Sequence, residues 1–134
     1  MNVASAQKII DPMFPGTIGV KILDISPDRV MAELMVKPGM CNMRDSLHGG
    51  AFMAFGDALG AIGTIGCLAQ GTITATLESK TNFIGAAPLG TKVLGESTPL
   101  HKGRTTQIWT TRITNEQGKL LAVVTQTQMI MPAA

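Results

Sequence analysis

One carboxylate stands alone in the middle of this chain. Asp57 is the only charged residue between His48 and Glu78. Its neighbours at helical spacing, Met53, Ala54, Gly60 and Ala61, are apolar or small and leave room for a substrate. An unpaired carboxylate is costly to bury, so this pattern points to a catalytic acid or base. The plainer reading is a surface carboxylate paired with Lys or Arg. Just upstream, His48-Gly49-Gly50 opens the same segment. Free N–H groups at a helix start point outward and favour negative charge, which suits an oxyanion hole. A tight loop–helix junction would place the same two glycines there. A His48–Asp57 dyad within one chain is excluded by geometry. Nine helical residues at about 100° each carry Asp57 to the opposite face, roughly 13.5 Å along the axis. The two can meet only across a two-fold axis. Lys102-Gly103-Arg104 is a basic turn, able to meet phosphate or simply to face water. Glu78 and Lys80, two apart on a strand, read as an ordinary ion pair.

These residues need a scaffold. Residues 3–11 predict a short helix stopped by Pro12 and Pro15. Gly19–Ile25 and Val30–Val36 are β-rich and flank the turn sequence Ser26-Pro27-Asp28-Arg29, which makes a hairpin. After a loop over 40–47 comes Ala51–Ala69, nearly all apolar, with glycines at 56, 60, 63 and 66. Four β-rich runs follow, near 72–84, 91–101, 104–114 and 119–131, separated by Gly- and Asn-containing breakers. In the first run Ile73, Ala75, Leu77, Ser79, Thr81 and Phe83 alternate with Thr72, Thr74, Thr76, Glu78, Lys80 and Asn82, predicting a core face and a polar face. The layout is α+β, one long helix and one large antiparallel sheet in a single domain spanning 1–134. A helix apolar on every side must be covered on every side, so the sheet should curl around it and a second subunit should cover the rest. Each glycine in its interior costs about 1 kcal/mol relative to alanine, which points to close approach of backbone or ligand as the gain.

Composition removes several classes. At 134 residues with 45% hydrophobic content the chain is neither disordered nor multidomain. A net charge of +2 is too small for a nucleic-acid binder. Two cysteines and two histidines exclude a disulfide scaffold and a four-thiolate zinc site, and weigh against a multi-His metal site. The N-terminus lacks the charge and apolar run of a signal peptide, so the expected location is cytoplasmic. Asp57 weighs against Ala51–Ala69 as a membrane span, since a carboxylate at mid-bilayer costs roughly 2.5–3.5 kcal/mol. The nine methionines read as core and pocket filler, and Trp109 as core or interface.

The run Asn42-Met43-Arg44-Asp45-Ser46-Leu47-His48-Gly49-Gly50, followed six residues later by Asp57, resembles the signature of hotdog-fold acyl-CoA thioesterases. The nearest type is the small single-domain group of phenylacetate-pathway and hydroxybenzoyl-CoA enzymes. Asn82-Phe83 running to Pro88-Leu89-Gly90, the turn His101-Lys102-Gly103-Arg104, and Gly118-Lys119-Leu120 extend the likeness over nearly the whole chain. The resemblance implies a long central helix wrapped by a curved antiparallel sheet, thioester hydrolysis, and a homodimer, pairing into a homotetramer. It implies Asp57 as general base, or as nucleophile through a mixed anhydride. It places the Gly49 N–H and the Asn42 amide on the thioester oxygen, His48 as an orienting residue holding Asn42, and Thr76 beside the attacking water. The plainer readings are a satisfied structural histidine at 48 and an ordinary strand threonine at 76. Lys102, Gly103 and Arg104 would meet the phosphates of coenzyme A, which enters only as part of the substrate. No cofactor, metal, nucleic acid or membrane partner is expected. The chain departs from the family at Asp45, where glycine is common, and at Ile84-Gly85-Ala86-Ala87, where Arg-Pro or Ser-Pro often follows the aromatic. A non-catalytic acyl-CoA or acyl-carrier binding module of the same fold, and a hotdog dehydratase or hydratase, are the competing readings.

Overall fold

The computed structural model describes residues 1–134. Helices α1 (Val3–Ile10) and α2 (Phe14–Ile18) lead into strands β1 (Lys21–Ser26) and β2 (Arg29–Met35). The long helix α3 (Gly49–Ile65) follows, then β3 (Thr72–Phe83), β4 (Lys92–Lys102), β5 (Thr106–Asn115) and β6 (Leu120–Pro132). The strands form one antiparallel sheet in the order β1-β2-β4-β5-β6-β3. This is the α+β layout expected, with the helix lying against the sheet. One boundary differs. Pro15 does not stop a helix but sits in the first turn of α2, where its missing N–H is harmless. No helix is long and apolar enough to cross a membrane.

Period-two alternation sends one side chain in two from each strand toward α3. Val30, Ala32 and Leu34 of β2, Val93 of β4, Ile113 of β5 and Val124 of β6 are fully buried with Phe55 and Leu59 of α3. The opposite face of the sheet carries ion pairs, Lys21 and Lys92 on Glu33 and Arg29 on Glu96. The glycines of α3 explain how close the layers come. A Cβ added at Gly56 would sit 2.5 Å from Val124 Cγ2, at Gly60 2.4 Å from the Gln126 amide, and at Gly63 2.6 Å from the Trp109 ring. Three large side chains of β5 and β6 therefore rest directly on the helix backbone.

Helix α3 is not covered on every side within one chain. Met53 and Ile65 are exposed, and Ala54, Asp57 and Ala61 between them are half-buried. The sheet edge β3 is also open. Its outward groups include Ile73, 45% exposed, and Leu77, 58% exposed.

The strand β3 departs from simple alternation. Thr76 lies opposite Gln128 and Glu78 opposite Thr127, so Leu77 is an extra, unpaired residue, a β-bulge. Past the bulge, Ser79, Thr81 and Phe83 lie opposite the inward residues Gln126, Val124 and Ala122, as alternation predicts. Before it the phase is reversed. Thr74 and Thr76 face inward, and Ile73, Ala75 and Leu77, expected in the core, face out.

A Gly56→Ala substitution must displace Val124 from a packed core and should lower stability by about 1–3 kcal/mol in urea denaturation. Gly39→Ala, where an added Cβ meets nothing within 4 Å, should leave the midpoint unchanged or raise it slightly.

Candidate active site

The loop before α3 is a folded unit. Bridges from Cys41 to Leu47 and from Ser46 to Pro88 close it. Asp45 adopts φ +52°, the left-handed conformation that asparagine and aspartate tolerate best after glycine, so the departure from the family pattern is absorbed. The Asn42 side-chain oxygen accepts the Arg44 N–H at 2.9 Å. That fixes the amide and leaves its NH2 without a protein partner.

His48 is the N-cap of α3. Its Nδ1 accepts the Gly50 N–H at 2.9 Å, and its carbonyl takes the N–H groups of Ala51 and Phe52. The ring therefore orients the helix start and forms no hydrogen bond to Asn42, which is the satisfied structural histidine of the two readings. The neutral imidazole must carry its proton on Nε2. With Gly50 occupied, the first amide of α3, the Gly49 N–H, is the one left free. Gly49 and Asn42 line one cleft of about 410 Å³ with Phe52 and Phe83. Phe83 packs edge-on to Phe52, ring centres 6.2 Å apart, and its ring would lie 3.2 Å from any Cβ at Gly49. Glycine there keeps the free amide and the aromatic wall side by side.

Asp57 lies on the half-buried side of α3 and lines a different cavity of about 330 Å³, walled by Met13 and Phe14 from the N-terminal helices and by Ala54 and Ala61. It forms no ion pair. Thr76 donates to its Oδ1 at 2.7 Å, as does the Gln126 Nε2 at 3.2 Å. The hydroxyl of Thr76 in turn accepts from Gln128 Nε2 at 2.7 Å, and Gln128 Oε1 accepts from Thr74 at 3.0 Å. Thr76 thus meets the acid itself. Within one chain the predicted residues gather in two groups, Asn42 with Gly49 and Asp57 with Thr76, and no single cavity holds both.

Gln126 and Gln128 were not legible as site residues. Their signal was present, since Gln126-Thr127-Gln128 puts amides on the phase that Ala122 and Val124 assign to the core. The basic turn divides. Lys102 bonds Asp28 at 2.8 Å and the Pro27 carbonyl, and sits 6.0 Å from the Trp109 ring centre. The hydrogen bond to Asp28 holds its amine above the ordinary lysine value of 10.5, against the opposing effect of burial. Arg104 makes no ion pair. Glu78 accepts from Thr127 at 2.9 Å and is not paired with Lys80.

Comparison with known proteins fits this geometry. The Thioesterase superfamily matches residues 45–122, more than half of the chain, and the chain belongs to that family. A 1,4-dihydroxy-2-naphthoyl-CoA hydrolase from Listeria monocytogenes is 27% identical over 80% of this chain and 86% of its own. A mutant thioesterase from Pseudomonas aeruginosa superposes with a TM-score of 0.93 at 19% identity, over 99% of this chain and 96% of that one. The PaaI protein of the Escherichia coli phenylacetic acid degradation operon does so at 0.85 and 20%, over 98% and 93%. The architecture is the hotdog fold.

As an N-cap, His48 is replaceable by another good cap. His48→Asn should stay within about 0.5 kcal/mol of the wild type in thermal unfolding, whereas His48→Ala should lose about 1 kcal/mol.

Proposed function

We propose that this protein hydrolyses acyl-CoA thioesters, with each site built from two copies of the chain. The observation that carries the reading is the free Gly49 N–H at the start of α3, sharing its cleft with the unbonded Asn42 amide. Two unbonded donors lining one cleft suit a tetrahedral thioester oxyanion. The carboxylate needed to activate water, Asp57, sits in a separate cavity of the same chain. A second copy joins the halves. The unpaired edge of β3, with Ile73 and Leu77 outward, and the uncovered face of α3 are the surfaces it would bury.

The chemistry follows from those positions. Asp57 Oδ2 takes a proton as water oxygen bonds to the thioester carbon, and the carbonyl oxygen becomes an anion held by Gly49 N–H and Asn42 NH2. When this intermediate collapses, the C–S bond breaks. The thiolate of coenzyme A leaves and takes up the proton from Asp57. A thiol of ordinary pKa, about 8.5, is a good enough leaving group to need no strong separate acid. Thr76 has one hydroxyl proton, already given to Asp57, so it meets the water as an acceptor. Arg104, free of ion pairs, is the side chain of the basic turn available to a coenzyme A phosphate.

Thiol release from short, medium, long and aryl acyl-CoAs tests the reading. Asp57→Ala should lose at least roughly 10² in turnover with its fold intact, the low end for a positioned base. Near-normal turnover would reject the assignment. Asn42→Ala should lose roughly 10²–10³, the worth of one oxyanion donor. Refolding these two inactive variants together should restore about a quarter of wild-type turnover, because half of the dimers are mixed and each of those carries one intact site of its two. No recovery would exclude a shared site.

A further inference from the structure

We propose that Gln126 and Gln128 are positioning residues that hold Asp57 by one carboxylate oxygen and leave the other to react. The inference rests on the thioesterase reading of the site. Both side chains are fully buried on β6. Their neighbours in the same phase, Ala122 and Val124, are apolar, so packing alone does not call for amides here.

Gln126 shows what its amide is for. Its Nε2 donates to the Asp57 carbonyl at 3.1 Å and to Asp57 Oδ1 at 3.2 Å. Its Oε1 is buried and has no hydrogen-bond partner. Turning the amide over would set oxygen against oxygen at Asp57, so the orientation is dictated by the acid and the orphan acceptor is its cost. Gly60 makes this possible, since a Cβ there would lie 2.4 Å from the Gln126 carboxamide.

Gln128 acts one step removed. A hydroxyl has one proton to give. Because Gln128 Nε2 donates to Thr76, that proton is directed to Asp57 Oδ1. The Thr74 hydroxyl lies 3.0 Å from Gln128 Oε1 and 2.8 Å from the Met129 carbonyl, so its one proton does not fix that amide. Thr76 does: a carboxylate only accepts, so Thr76 gives its proton to Asp57 and must receive from Gln128 Nε2. The bonds from Gln128 through Thr76 have one direction and end on the same oxygen that Gln126 holds. Oδ2 receives no protein donor. No charged side chain is bonded to Asp57, and β6 carries no titratable residue. Neutral donors alone set the orientation of the carboxylate.

The test uses methionine, which matches glutamine in length and lacks the amide. Gln126→Met and Gln128→Met should each lower kcat roughly 10- to 100-fold with KM within about twofold, the signature of a misplaced reacting group. In an Asp57→Ala background neither should lower the residual turnover further. Gly60→Ala, which pushes on Gln126, should reproduce the kcat loss. Gly63→Ala, which pushes on Trp109, should lose similar thermal stability and keep wild-type kcat. The pair decides the matter even if a methionine variant does not fold. Wild-type kcat in Gln126→Met, or kcat losses that follow stability equally in both glycine variants, would overturn the proposal. A readout independent of turnover is the Gln126 side-chain amide resonance, which should move when Asp57 becomes Ala. If the wild type cleaves no acyl-CoA, the thioesterase reading fails, while that resonance still reports whether Gln126 holds Asp57.

Discussion

The distance at which α3 can lie on the sheet governs the rest of the molecule. Gly56, Gly60 and Gly63 remove the side chains that would hold the layers apart, and Val124, Gln126 and Trp109 fill the space. Interiors packed at crystal-like density do not leave such contacts slack. The same closeness lets a β6 side chain reach past the helix backbone to Asp57. A helix-destabilising stripe thus serves both the core and the acid, and the conformational cost of the glycines is offset twice.

The ion pairs lie away from this machinery. The four ion pairs link β1, β2, β4 and the β1–β2 turn, on the far face of the sheet or beside the basic turn. Around Asp57 and Gly49 the protein uses amides, hydroxyls and a free helix terminus. Fixed dipoles can orient a carboxylate or meet a developing oxyanion without quenching either, which a full cation in contact would do. The wall of each cavity is otherwise apolar, and Phe14 and Ala54 border both the hollow beside His48 and the one beside Asp57.

Much of this was legible in the residues themselves. Regular breakers between β-rich stretches and one long apolar segment were enough for the layout, and the isolation of Asp57 and the two glycines after His48 were enough to single those residues out. The placement of His48 and Asp57 on opposite faces already kept the two apart within one chain. What could not be read depends on contacts between distant segments. Alternation over 72–83 looks uninterrupted, because a bulge is defined by the partner strand, here the single step from Gln128 to Thr127. The inward phase of Gln126 and Gln128 is in the sequence, but that they reach Asp57 and Thr76 is set by the packing of β6 against α3 and β3. Lys102 looked available until the β1–β2 turn brought Asp28 and Pro27 onto it. Pro15 can end one helix or begin another, and only the chain geometry after Asp11 decides which.

The bulge at Leu77 has an evolutionary reach beyond its size. It gives one strand two phases, so that Thr76 bonds Asp57 and Phe83, seven positions later, walls the cleft beside Gly49. Point substitutions along the strand leave that arrangement standing. Loss or gain of a single codon between them would rotate the distal half by one side chain, swinging Phe83 away from Gly49 and turning Lys80 and Asn82 toward the helix. The two cavities are coupled by the count of residues in an edge strand, so that length there matters as much as the identity of Thr76 and Phe83.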